Sequence, residues 1–568
     1  MQKHWHIKTP NPHLQVAFSN SLGIHPLVAQ LLINRGVETT ETAKSFLNCG
    51  ISNLHDPFLL KDMDKAVKRI NQARDKKERV MIFGDYDVDG VSSSALLHGT
   101  LTKLGIEVFN YIPHRMSEGY GLNHAIADIA REKNIQLLIT VDCGINAFTQ
   151  VDGLNKNGID VIILDHHEPT DEKLPKAVAI INPKRHDCTY PFKGLASVGL
   201  VFKLSHALLN EVPMDDLDLV AVGTISDVAE LNGENRIFVK EGLSRIHETK
   251  NKGLQALIEV ARIKGKKLRP YHVGFILGPR INASGRMGSA EKSLQLLLSQ
   301  DIGEAMEIAQ SMEENNKTRQ QTQKDIVEEA LGIVEREVNF KDHQIIVLSR
   351  EGWHRGVIGI VASRIMDTYY RPTVVISLDE GVGVGSARSI DGFHLFEALT
   401  HCSGLLENFG GHERAAGLTI KEGNIDQFRS RINAFAKENL NTDDLIPTLE
   451  LDCEIPLSGL DVELINTIET LAPYGEGNPI PKFCSRRLTV KGAPARLGKD
   501  TIKFWVTDGK VTHQAVGFGK GKFFDLVANA KEIDLAYSLG IDDWKKDPAV
   551  QLEVKDIKES SDREAESD

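Results

Sequence analysis

Phe83-Gly84-Asp85-Tyr86-Asp87-Val88-Asp89-Gly90 is the stretch on which the reading of this chain turns. It follows an apolar run at residues 79–83 that predicts a strand, and three acids stand at alternate positions behind it. On an extended segment a period of two sends side chains to one face. Asp85, Asp87 and Asp89 are therefore expected on one side, with Gly90 permitting the tight turn into a helix over 91–104. The pattern then returns. Asp142 follows a predicted strand at 135–141, Asp165-His166-His167 follows one at 161–164, and Asp227 closes a helical stretch at 217–228. In a parallel α/β sheet the strand C-termini open into one crevice, where ligands bind. Carboxylates gathered on one rim repel each other unless cations hold them. Hard divalent ions take carboxylate oxygens, and imidazole suits the transition metals. These residues predict a metal site with two ions.

A bare Asp-x-Asp-x-Asp-Gly also opens a calcium-binding EF-hand loop. The bidentate acid that such a loop needs at its twelfth position is Leu96 here, so calcium is not expected. A solvated acidic turn would account for Asp85–Asp89 alone but leaves the later acids unexplained. The adjacent histidines, read as an extended pair, should point to opposite faces. One would bind metal, and the other would contact substrate or support a ligand.

The rest of the chain sets bounds. Its 568 residues exceed one core and suggest about three or four domains. Hydrophobic content of 41% and charged content of 26% are ordinary for globular proteins. No apolar run approaches the roughly 18 residues of a membrane helix, and no apolar signal core follows Met1, so a cytoplasmic protein without a membrane segment is expected. The six cysteines form no Cys-x-x-Cys pair, which argues against a disulfide framework or structural zinc. A net charge of -12 argues against a surface coated for nucleic acid but leaves room for a local basic groove.

Periodicity divides the chain. Residues 1–75 read as a helical region. Strands alternate with helices from about 79 to 184, the signature of a parallel sheet, and a catalytic α/β domain is expected over 76–290. A polar helical pattern over 291–337 reads as a linking helix, since helices polar on most faces bridge domains. A smaller α/β domain is expected over 338–446. Short alternating runs over 447–556 predict an all-β barrel or sandwich, with Phe504, Trp505, Phe518, Tyr537 and Trp544 on or beside its strands. Residues 557–568 read as a disordered acidic tail.

The acidic set also carries a resemblance. Asp85-Tyr86-Asp87-Val88-Asp89-Gly90, Val141-Asp142, Asp165-His166-His167 and Asp227 resemble the four motifs of the DHH phosphoesterase superfamily. Gly385-Ser386-Ala387-Arg388-Ser389 and Gly410-Gly411-His412 look like the substrate-binding motifs of its companion DHHA1 domain. Residues 112–115, 118–121, 278–286, 352–359 and 473–479 narrow the likeness to the RecJ family of single-strand-specific 5′→3′ exonucleases. Tyr474 stands where that family often shows Phe. The resemblance covers residues 80 to 540. It implies a parallel-sheet DHH domain, a long linking helix, a smaller α/β DHHA1 domain and a C-terminal β-barrel of the OB-fold type.

The same resemblance implies roles. Asp87, Asp89, Asp142, His166 and Asp227 would ligate two Mn²⁺ or Mg²⁺ ions, with Asp142 as a bridge. Asp85, as a further ligand or a support for one, and His167, touching the scissile phosphate, would serve catalysis. Two ions about 3.5–4 Å apart can activate a water, align it and stabilise the departing 3′ oxygen. Arg115, Arg286, Ser386 and Arg388 would grip a terminal 5′-phosphate, because guanidinium forks match phosphate oxygens. Gly410 and Gly411 would let backbone amides approach a phosphate, and His412 would donate to it. Taken singly, Gly-Gly-His is an ordinary loop and each arginine an ordinary surface ion pair. In the OB-fold, Trp505 beside Lys503 is the candidate for base stacking, set against an equal prospect that any one aromatic is barrel core.

The function implied is metal-dependent degradation of single-stranded DNA to 5′-mononucleotides, in repair and recombination. A monomer is expected, with single-strand-binding protein and a helicase as partners. A phosphatase for short oligonucleotides or cyclic dinucleotides would have no use for the β domain. A scaffold without activity should have lost ligands, and every one is present.

Overall fold

The structure is a computed structural model and describes residues 3–115, 118–119, 121–170, 173–542 and 548–560. The chain forms two units. One takes His55–Ala229 and Glu241–Pro447, the other Met1–Leu54, Glu230–Lys240 and Thr448–Asp568.

The first unit begins with an all-parallel sheet in the order Val108–Tyr111, Val80–Gly84, Leu137–Val141, Asp160–Leu164, Ala179–Ile181. Its central strands are buried at every position, which is why they read as apolar runs, broken only by Thr140, instead of alternating ones. Met81, Phe83, Leu138, Val161 and Ile163 pack beneath the helices Ile126–Glu132 and Phe148–Lys156. The register aligns Gly84 with Val141 and Val141 with Leu164. Three strand ends thus stop on one line, and Asp85, Asp142 and Asp165 each follow one of them.

The helix Ile302–Glu337 runs for 36 residues, about 54 Å at 1.5 Å per residue. Ala305, Ala309, Met312 and Asn316 are buried in its first half. Ile326, Ala330, Ile333 and Val334 belong to the core of the next sheet, with Ile346, Leu348 and Val361. That sheet is mixed, in the order Leu406–Gly411, Ala415–Lys421, Val382–Arg388, Thr373–Asp379, Ile346–Glu351, and only the last pair is parallel. Val382–Arg388 escapes a propensity reading because it holds Gly383 and Gly385. A Cβ on Gly383 would lie 2.6 Å from Ile376 Cγ2, so the glycine makes room for its neighbour's side chain.

In the second unit, Phe483–Leu497 pairs with both Thr501–Thr507 and Ile533–Asp542, closing five strands of the six-stranded sheet into a barrel. The N-terminal segment is not helical throughout: His4–Ile7 pairs in parallel with Thr448–Leu451. Phe18, Val28 and Leu31 share one core with Leu457, Phe483, Phe504 and Leu552. The last strand reaches Glu559, with Ile557 opposite Leu535, so residues 557–559 are paired strand where the sequence suggested tail. Residues 561–568 lie outside the described residues, as does Trp544. All six cysteines are free.

Candidate active site

Asp85 leaves the strand Val80–Gly84 and Asp87 is still extended, but Asp89 is not. The helix Val88–Lys103 starts earlier than its predicted position, and Asp87 is its N-cap. Asp87 Oδ1 accepts from the amides of Asp89 at 2.9 Å and Gly90 at 3.1 Å. The period-two expectation fails for this reason: the capping bond draws Asp89 into the first turn of a helix. Gly90 is needed for space. A Cβ there would lie 2.4 Å from the Asp85 carbonyl oxygen.

The acids therefore divide. Asp85, Asp87 and Asp142 form one group, Asp89, His166 and Asp227 a second, and Asp142, His166 and His167 a third, with the ligand atoms of each group within 4.8 Å of one another. Asp142 and His166 each belong to two groups. Asp142 sits at φ 65°, a left-handed conformation that Asp tolerates better than most residues. Asp227 caps the helix Leu217–Ser226. Asp89 is held from behind, its carboxylate accepting from the amides of Ser197 at 2.8 Å and Val198 at 2.9 Å.

The two histidines do not face opposite ways. The strand ends at Leu164, so alternation stops, and the rings lie 4.5 Å apart. His166 Nε2 is 3.2 Å from Asp142 Oδ1 and its Nδ1 is 3.8 Å from Asp227 Oδ2. His167 Nδ1 is 2.7 Å from Asp165 Oδ1. Asp165 also accepts from the amides of Ile145 and His167, so it orients the loop and the ring.

Charge at the site is held out of its ordinary range. Burial and the Asp87 carboxylate push Asp85 up to about 8 and Asp89 up to about 7. Burial, Asp89 and Asp87 push Asp227 up to about 9. Burial and the neighbouring acids hold Asp142 well above the usual carboxylate range. Burial lowers His166 to about 4, leaving a neutral imidazole. His167 goes the other way: burial opposes its charge, but the hydrogen bond to Asp165 together with the charges of Asp165, Asp85 and Asp89 raises the ring. Asp85 Oδ1 and His166 Nε2 are buried without a hydrogen bond among the described residues. Crowded carboxylates with raised affinity for positive charge, neutral imidazole and open lone pairs fit a divalent cation of the Mn²⁺ or Mg²⁺ kind.

A cleft of about 380 Å³ takes in Asp85, Asp87, Asp142 and Asp227 together with Arg115 and Arg286. The guanidinium of Arg115 lies over the Tyr86 ring at 4.8 Å. Arg286 donates to Gly356 O at 3.3 Å, which joins residues 278–286 to residues 352–359. Arg388 donates to Ser386 Oγ at 3.1 Å and to Ala387 O at 2.7 Å. Burial, and then the charges of Arg115, Arg319 and Arg388, lower Arg286 to about 10. Burial and Arg115 lower Arg388. Arginines that repel one another beside a cleft have the charge to accept an anion. Sequence reasoning missed Arg319, which nothing distinguishes within a polar helix, and Asn282, which lines the cleft from inside a quoted motif.

A second cleft of about 520 Å³, also lined by His167, takes in Asp165, His166, Lys184 and His412. Lys184 was also missed. Gly410 and Gly411 are exposed in the hairpin that delivers His412. Gly411 has φ 145°, and a Cβ there would meet the Ala415 oxygen at 2.4 Å, so the tight hairpin itself requires glycine. Tyr120 lies outside the described residues. Trp505 belongs to the barrel unit, where Thr501–Thr507 alternates. Ile502, Phe504 and Val506 face the core, while Lys503 and Trp505 face outward, Trp505 being 38% exposed.

Family models match three stretches: the DHH family, N-terminal domain, over residues 79–224; the DHHA1 domain over 342–438; and the RecJ OB domain over 451–556. The chain is 40% identical to the single-stranded-DNA-specific exonuclease RecJ of Bacillus subtilis over 556 residues, covering 97% of this chain and 70% of that protein. The crystal structure of RecJ from Thermus thermophilus in complex with Mn²⁺ superposes with a TM-score of 0.84 at 29% identity, covering 99% of this chain and 80% of that one. Its complex with Mg²⁺ gives 0.79 at 28%, covering 99% and 79%.

Proposed function

Because the chain belongs to the RecJ family, we propose that it is a metal-dependent exonuclease that degrades single-stranded DNA from the 5′ end to 5′-mononucleotides. The observation that carries this reading is the shared cleft: Arg115 and Arg286 line the same space as Asp85, Asp87, Asp142 and Asp227. A terminal phosphate seated among arginines would place the first phosphodiester beside the acids, which is what removal of one nucleotide at a time requires.

Asp87, Asp89, Asp142, His166 and Asp227 would hold two Mn²⁺ or Mg²⁺ ions, with Asp142 between them. Bound there, the ions would supply positive charge against the phosphate oxygens and lower the pKa of water. Asp85 completes the negative wall or supports a ligand. His167, its Nδ1 paired with Asp165, would contact the scissile phosphate. Arg115, Arg286, Ser386 and Arg388 would bind the 5′-phosphate. Gly410, Gly411 and His412, across the second cleft, would steady the strand.

The outward Trp505, with Lys503, supports a base-stacking role for the barrel. Single-strand-binding protein and a helicase as partners, a monomeric state and a cytoplasmic setting in repair and recombination follow from the resemblance. No helix among the described residues is long and apolar enough to cross a membrane. The test is digestion of 5′-labelled and 3′-labelled single strands with and without Mn²⁺. Mononucleotides should come off the 5′ end only when metal is present. Release from the 3′ end first overturns the reading.

A further inference from the structure

Pro279 brings no N–H to its helix. Just before it the chain widens into a π-helical turn, Val273–Leu277, between Pro270–His272 and Gly278–Met287. Wide turns of this kind gather at functional sites. This one displays Tyr271 and Phe275, 62% and 72% exposed, with ring centroids 5.1 Å apart at an interplanar angle of 25°. Two rings left in water forgo the burial that large aromatics gain in a core. Packing gives no reason for them.

Their surroundings do. Tyr271, Phe275, Asn282 and Arg286 follow one another at the spacing of a helical stripe, and the last two line the catalytic cleft. The same turn lies against the helix that ends in Asp227. A Cβ on Gly274 would lie 3.7 Å from Ile225 Cγ2, and one on Gly278 would lie 2.9 Å from Ser226 Oγ. From Phe275 to Asn282 the helix rises about 10 Å, the length of about three stacked nucleotides.

We infer that Tyr271 and Phe275 form a stacking ledge at the mouth of the cleft. It takes the faces of the bases two to four nucleotides from the reacting end of a single strand. Every base has a π face, so the ledge holds the strand without regard to sequence. The inference rests on the nuclease reading above and adds to it the two side chains that would hold the incoming strand in line.

The test is a cycle between protein and DNA. Wild type, the double variant Tyr271→Ala/Phe275→Ala and the single variant Phe275→Leu are compared on 5′-phosphorylated strands in Mn²⁺. The strands are intact, abasic at the third nucleotide, or abasic near the far end. In wild type the near abasic site should raise KM about ten-fold with little change in kcat, and the far one should not. In the double variant the intact strand should already show a KM raised about ten- to a hundred-fold, and the near abasic site should add nothing further. Phe275→Leu keeps apolar bulk without a π face and should lose most of the abasic effect. It decides the matter should the double variant fail to give a cooperative melt. If wild type is indifferent to missing bases at positions two to four, or if the variants keep the full abasic penalty, the ledge is refuted. If wild type releases no nucleotides from any strand, it is the nuclease reading that fails.

Discussion

His166 Nε2 lies 3.2 Å from Asp142 Oδ1, with its other ring nitrogen 3.8 Å from Asp227 Oδ2. One imidazole thus spans two carboxylates without neutralising either, because burial keeps it uncharged at neutral pH. Lys184 offsets Asp227 only in part, and the rest of the charge that balances Asp142 and Asp227 is left to protons or metal.

That competition sets a pH dependence for the metal-free protein. Asp89, Asp85 and Asp227 sit at about 7, 8 and 9 in the fold, against about 4 in an unfolded chain. A carboxyl raised by folding keeps its proton where the unfolded chain has lost it, so its contribution is complete below about pH 4 and disappears as pH rises through the folded value. His166 is lowered, so its contribution is lost as pH falls below about 6.5 and opposes the acids there. Above that pH the raised His167 loses its contribution in the same direction as the acids, so the window for the test is pH 7 to 9. In EDTA, Tm should fall across that window, and the extra Tm given by Mn²⁺ should grow. A Tm that is flat with pH in EDTA, or a Mn²⁺ shift that shrinks, would remove the electrostatic account of the site.

Asp142→Asn should lower turnover by about a thousand-fold or more, because it removes one carboxylate charge from two ligand groups at once. Asn is the suitable replacement, since the left-handed φ of 65° strains Ala by about 1 kcal/mol and Asn much less. In EDTA this variant should melt higher than wild type, having lost a carboxyl that burial and its acidic neighbours force to stay protonated, while its Mn²⁺ shift should collapse. Near-normal cleavage in excess Mn²⁺ would show that Asp142 is not central to the metal site.

Arg388→Ala tests polarity. Arg388 is held between Ser386 Oγ and the Ala387 carbonyl, and burial and Arg115 already weaken its hold on charge. A terminal phosphate carries more charge than an internal phosphodiester and gains more from this cluster. Wild type should prefer 5′-phosphorylated strands to 5′-hydroxyl ones. The variant should lose about ten- to a hundred-fold of that preference, the worth of a charged hydrogen bond of about 1.5–3 kcal/mol. Undiminished discrimination would place the 5′ pocket elsewhere.

Much of this architecture was readable because buried parallel strands announce themselves. The runs ending at Gly84, Val141 and Leu164 are apolar but for Thr140, and the acids directly behind them marked the crevice. What the sequence concealed depends on single hydrogen bonds and close approaches. The cap made by Asp87 sends Asp89 to a different ligand group from Asp85. The strand ending at Leu164 turns both histidine rings to one side. His4–Ile7 looked like part of a helical leader because its partner, Thr448–Leu451, is far away in sequence. Arg319 and Lys184 have no local pattern; only the fold brings them near the site.

The shared core limits how the barrel can be tested. Removing residues 450–568 would strip Phe18, Val28 and Leu31 of Leu457, Phe483 and Phe504, so a truncation reports on folding before it reports on binding. Two neighbouring side chains separate these effects. Phe504 is 1% exposed and Trp505 is 38% exposed on the same strand. Phe504→Ala should cost about 3–5 kcal/mol of stability and lower the Tm of the barrel. Trp505→Ala should leave the melt nearly unchanged. It should weaken binding of strands long enough to reach the barrel by about five- to a hundred-fold, the worth of one stacked base at about 1–3 kcal/mol. Strands of about four nucleotides, the lower end of an OB-fold site, should bind and be cleaved as in wild type. Calorimetry and anisotropy on short and long 5′-phosphorylated strands, with metal chelated to stop cleavage, measure both effects. Equal losses of binding on short and long strands, or none on either, would show that Trp505 is not a stacking platform and that the barrel grips DNA by another face.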